Sequence, residues 1–106
     1  MSQPEARYAD LCEVFLRRSE VSRDGKGFGS SSLKVNGRIF AMLSSRGEFV
    51  VKLPRQRVDA LVASGEGANY DGGKGRAMKE WLALKADSTL DWSALADEAL
   101  AFVKVG

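Results

Sequence analysis

Histidine is missing altogether from this chain of 106 residues. Its absence removes the commonest general base, the Ser-His and Cys-His nucleophile pairs, and the imidazole metal ligands. Cysteine occurs once, as Cys12, so neither an intrachain disulfide nor a thiolate zinc site can form. No apolar run approaches the ~20 residues of a membrane span, and Met1 to Arg7 hold no hydrophobic signal core and no myristoylation glycine. Internal repeats and low-complexity tracts are absent as well. A cytoplasmic protein without membrane contact is expected.

What is present suits one small globular domain spanning 1–106, able to bury roughly two-thirds of its unfolded surface. An apolar fraction of 44% is too high for a disordered chain. The net charge is only +2, but it is unevenly spread. Residues 17–57 carry ten basic side chains against three acidic ones, Glu20, Asp24 and Glu48, whereas residues 58–106 carry five against eight. Part of the chain can thus present a positive surface to an anion or a nucleic acid.

The most informative stretch runs from Ser30 to Pro54 and reads as three antiparallel strands joined by two tight turns. Asn36-Gly37 is a strong hairpin signal, because both central residues of a type I′ turn need positive φ. Arg46-Gly47 is a weaker version of the same device. If both turns have two residues, Leu33 opposes Phe40, Met42 opposes Val51 and Phe40 opposes Leu53. One face then gathers Leu33, Val35, Phe40, Met42, Phe49, Val51 and Leu53 as the core. The other gathers Ser32, Lys34, Ile39, Ala41, Leu43, Val50 and Lys52. That second face is half apolar, which suggests a cover: the first helix, or a second copy of the chain meeting it through Ile39, Ala41, Leu43 and Val50.

Helices flank this meander. Tyr8, Leu11, Cys12, Phe15 and Leu16 form an apolar stripe at helical spacing between Pro4 and Arg18. Val58, Leu61 and Val62 mark a short helix from Arg55 to Ser64, with Gly65 as its cap. Trp81-Leu82-Ala83-Leu84 reads as a fourth strand, apolar on both faces and so interior to the sheet. Asp91 caps a last helix striped by Trp92, Leu95, Ala96, Ala99, Phe102 and Val103. The class expected is α+β, a single domain with an antiparallel sheet of about four strands and three helices.

Motifs with chemistry fail on inspection. Gly25-Lys26-Gly27-Phe28-Gly29 follows a helix and opens a strand, the reverse of a dinucleotide-binding turn. The loop around Gly73-Lys74 would need glycine at Ala68 and a hydroxyl at Gly75 to be a P-loop. Asp97 and Glu98 are adjacent on a helix and diverge, and Ser30-Ser31-Ser32 has no base to activate it. No enzyme, no cofactor and no metal site is expected.

The residues Leu33-Lys34-Val35-Asn36-Gly37-Arg38-Ile39-Phe40-Ala41-Met42, then Glu48-Phe49-Val50-Val51-Lys52-Leu53-Pro54, resemble the bacterial MmcQ/YjbR double-wing family and the related TfoX N-terminal domain. Lys79-Glu80-Trp81-Leu82-Ala83-Leu84, and Asp91-Trp92 with Leu95 and Ala99, extend the resemblance over roughly residues 25–103. The shared positions are chiefly hydrophobic, turn and capping residues. The resemblance implies an α+β domain and DNA binding. TfoX proteins carry a further helical domain that has no counterpart after Val105, so a competence-regulator role is not expected.

Charge placement and resemblance together suggest a small DNA-binding or DNA-associated accessory protein, contacting double-stranded DNA weakly and without sequence preference. Lys34, Arg46, Lys52, Arg55, Arg57, Lys74 and Arg76 are the candidate phosphate contacts, which position a protein without reading bases. The alternative is a non-enzymatic interaction module, pictured as a homodimer, with no nucleic-acid role.

Overall fold

A computed structural model describes residues 4–24, 32–44, 47–70, 78–85, 88 and 90–105. In chain order they form α1 (Pro4–Phe15), β1 (Val21–Asp24), β2 (Ser32–Val35), β3 (Arg38–Leu43), β4 (Phe49–Lys52), α2 (Arg55–Ala63), β5 (Ala68–Tyr70), β6 (Met78–Leu84) and α3 (Trp92–Val105). The strands make one antiparallel sheet in the order β1-β2-β3-β4-β6-β5. The α+β class is the one expected, and β6 is interior as its apolar faces require. Among the described residues six strands replace the four expected. The two additions, β1 and β5, lie at the edges, where short and largely polar segments such as Val-Ser-Arg-Asp carry no alternation to reveal them.

The helix ends follow from local chemistry. α1 stops three residues before Arg18, and the N–H groups of Arg17 and Arg18 turn back to the carbonyls of Val14 and Phe15. Pro54 introduces α2 with an extended backbone (ψ 145), and its carbonyl accepts the Val58 N–H at 3.0 Å. At the other end the N–H groups of Gly65 and Glu66 donate to the carbonyls of Val62 and Leu61, the paired closure of a Schellman motif. Asp91 Oδ1 accepts the N–H groups of Ser93 and Ala94 at 2.9 and 3.2 Å, capping α3 as its sequence requires.

The first hairpin is the type I′ turn expected, with positive φ at Asn36 (54°) and Gly37 (78°). Beyond it the register departs from the two-residue-turn expectation in two places. Leu33 pairs with Ala41 while Lys34 pairs with Ile39, so Phe40 is an extra residue on β3, a β-bulge. Phe40 and Ala41 consequently both turn inward, and neither has exposed surface. The second hairpin then uses a three-residue connection: Ser44 and Glu48 close it through Ser44 N–H to Glu48 O at 2.8 Å, with Gly47 at φ 79°. Ala41 thus pairs with Val51 and Leu43 with Phe49.

The faces change accordingly. Leu33, Val35, Phe40, Phe49, Val51 and Leu53 are core residues as expected, but Ala41 and Leu43 join them. Met42, expected in the core, pairs with Val50 on the opposite face and is half-buried. The proposed homodimer surface is corrected by the same shift. Ala41 and Leu43 belong to the core, and only Ile39 and Val50 remain on the outer face.

All three helices pack on the core face. The Phe15 and Phe40 rings lie 6.1 Å apart, Trp92 of α3 stacks on Phe49, and Val58 and Leu61 of α2 join Leu82 and Leu84 in the same apolar cluster. Each fully buried side chain of this size contributes roughly 1.5–3 kcal/mol. The outer face is therefore not covered by α1, and among the described residues no helix lies on it. No helix is long and apolar enough to cross a membrane, among the described residues.

Candidate functional site

Strand alternation and the pairing register arrange the helix-free face as two cross-strand rows. The first holds Lys34 paired with Ile39 and Lys52 paired with Trp81, with Ser22 beside Lys34 at the β1 edge. The second holds Met42, Val50, Ala83 and Ala68, each the register partner of the next. Val50 has no exposed surface and Ala83 only 6%, so the middle of the second row is buried, while Met42 is half-buried and Ala68 exposed. In the first row Lys34, Ile39, Lys52 and Trp81 are half-buried and Ser22 is exposed.

The Lys52 ammonium lies 5.7 Å from the centre of the Trp81 ring. That is near the outer limit, about 6 Å, of a cation–π contact. Lys52 makes no ion pair within 4.0 Å among the described residues. At the rim beside it, Arg38, Lys52, Glu80, Phe102 and Val103 enclose a depression of about 180 Å³. The other end of the face differs in sign. There Glu48 accepts a hydrogen bond from the Ser44 hydroxyl at 3.4 Å, and Glu48, Glu66 and Lys85 border a cleft of about 430 Å³. The face is thus basic at one end and mainly acidic at the other.

The candidate contacts predicted from sequence do not form one patch. Lys34 and Lys52 share the first row, separated by β3 and so by two strand spacings, roughly 10 Å. Arg55 and Arg57 lie on α2, in the helical layer. Arg55 sits 3.9 Å from Asp59, a weak i,i+4 pair. Arg57 is held by Glu98 of α3 in a two-pronged ion pair, with Nε to Oε1 at 2.9 Å and Nη2 to Oε2 at 3.1 Å. Its charge is matched within the protein. Arg46, Lys74 and Arg76 lie outside the described residues.

Two members of the site escaped the sequence reading. Trp81 faces outward beside Lys52, which the wholly apolar stretch Trp81–Leu84 gave no means of seeing. Arg38 reaches the same rim, and its only sequence mark was its place after the Asn36-Gly37 turn. Among the described residues no group of three or more Cys, Asp or Glu side chains is arranged to hold a metal ion.

Compared with protein-family models, with curated proteins and with solved structures, the chain matches none. The resemblance to the MmcQ/YjbR and TfoX families accordingly rests on the residues quoted above alone.

Proposed function

We propose that the chain is a DNA-associated accessory protein that binds the phosphate backbone weakly and without sequence preference through the basic end of its helix-free sheet face. The observation that supports this most is the first row, where Lys34 and Lys52 stand on one face beside Trp81, and Lys52 has no carboxylate partner among the described residues. Lysines used this way act as point charges that locate phosphates and read no base. None of the three helices lines up an exposed basic edge, so a helix reading the major groove is not part of the proposal.

With Lys34 and Lys52 engaged, about two phosphates are neutralised, and log affinity for duplex DNA falls against log salt with a slope of about −2. The test is a fluorescence-anisotropy titration with a mixed-sequence duplex at several salt concentrations. Joint replacement of Lys34 and Lys52 by Gln lowers the slope by about two units and weakens all sequences alike. Absence of duplex and single-strand binding at the lowest salt defeats the proposal. A concentration-dependent dimer lost on Ile39→Glu, in such a non-binding protein, would instead favour the interaction module.

A further inference from the structure

We infer that the DNA taken by this face is single-stranded, with a base stacked on Trp81. This rests on the proposal above that the face binds phosphates, and adds the form of the ligand. Trp81 sits on β6, an interior strand, where it pairs with Lys52 of β4; on the β5 side it falls within the irregularity between Asn69 and Tyr70. It is half-buried on the face that no described helix covers, in contrast to Trp92, which is 3% exposed. The Lys52 ammonium lies over the ring at 5.7 Å on a flexible stem, and it swings aside when a base stacks there. It is well placed to meet the phosphate of a nucleotide whose base lies on the indole. An aromatic platform beside a cation on a sheet surface is the combination that unpaired nucleotides bind, because every base has a π-face to offer.

Shape favours the same ligand. Strands β2, β3, β4 and β6 at about 4.8 Å spacing span ~14 Å before side chains are counted, wider than the ~12 Å major groove. A duplex would therefore meet this face with a ridge of phosphates only, its base faces hidden in the stack. A single strand can instead lie along the row from Lys34 to Trp81, its phosphates against the two lysines and a base on the indole. The charge polarity of the face selects that path. A strand running parallel to the β-strands would be carried over the apolar band of Met42, Val50 and Ala83 toward Glu48, whose carboxylate repels phosphate.

The experiment compares fluorescence anisotropy of oligo(dT), oligo(U) and a mixed-sequence duplex of equal length at low salt, with tryptophan emission recorded in parallel. A single strand is expected to bind about tenfold tighter than the duplex. The deoxy and ribo arms separate DNA from RNA as its source. The expected effect of Trp81→Leu is a loss of about tenfold for the single strand and less than about twofold for the duplex, while Lys52→Gln weakens both. Should the Trp81 variant not fold, quenching of wild-type emission by oligo(dT) is the second measurement, since the deeply buried Trp92 is shielded from a stacking base. Duplex binding as tight as single-strand binding, or binding without quenching, overturns the single-strand inference and leaves the phosphate-binding proposal standing. Absence of binding to all three ligands removes both.

Discussion

Trp92 lies flat on Phe49, ring centroids 4.6 Å apart and planes 9° apart, and the Arg7 guanidinium covers the indole from its other side at 4.0 Å. The same guanidinium donates to the carbonyls of Ser88 and Leu90, both at 2.8 Å. One α1 side chain thereby fastens the entry of α3 to the sheet. Arg7→Lys keeps the charge but loses the fork, and should cost about 1–2 kcal/mol in urea unfolding. Trp92 Nε1 is buried without a hydrogen bond among the described residues. Trp92→Phe is therefore expected to cost only about 1 kcal/mol, against ~3–5 for Trp92→Ala. Equal losses in the two Trp92 variants would contradict the stacked arrangement.

The bulge at Phe40 makes a prediction that separates neighbouring residues of β3. Phe40 has no exposed surface and Leu43 is 5% exposed, whereas Met42 is half-buried on the outer face. Phe40→Ala should cost ~3–5 kcal/mol and Leu43→Ala about 2–4, but Met42→Ala only about 1. Chemical denaturation of the three variants checks the order. A Met42 variant worse than the Leu43 variant would restore the unbulged register.

Two glycines are constrained in different ways. Gly47 needs φ 79°, so Gly47→Ala should lose about 1–2 kcal/mol to backbone strain, with Gly47→Asn losing less. Gly67 instead lacks room. A Cβ there would stand 2.9 Å from the Ala83 carbonyl oxygen and 2.9 Å from Leu82 Cδ1. Gly67→Ala should cost about 1–3 kcal/mol by displacing β5 from β6, and no choice of side chain should rescue it. Thermal unfolding of both variants reads these losses.

The Arg57–Glu98 pair separates the two groups of basic candidates. Both side chains are over 40% exposed, 44% and 41%, so removing the pair should change stability by less than about 1 kcal/mol. Arg57→Gln should leave the salt slope of DNA binding where it was, whereas Lys52→Gln should reduce it by about 0.9. A larger effect from Arg57 would move the binding surface to the helical layer.

The sequence was legible wherever one residue type marked one geometry. Asn36-Gly37, Asp91 and the helical stripes carry such marks, and the elements around them form as read. The second half of β3 carries none. Ile39 to Leu43 is apolar at every position, so no polar side chain betrays which residue faces out, and an inserted bulge leaves no trace. Ser44 to Gly47 likewise suits a two-residue or a three-residue connection, with glycine at positive φ in either. The two extra residues cancel, and Phe49, Val51 and Leu53 face the core although their partners were misassigned. Lys34 and Lys52 were readable because their strands keep their expected facing. The Glu98 partner of Arg57, 41 residues away, had no local signal at all.

The outermost strands have a further consequence for self-association. β1 runs four residues and β5 only three, and β5 is irregular between Asn69 and Tyr70. Among the described residues, edges this short expose few unpaired amides to template another chain, which opposes edge-to-edge growth of the sheet between molecules. The half-exposed row of Lys34, Lys52 and Trp81 can then meet a ligand without committing the molecule to fibrous aggregation.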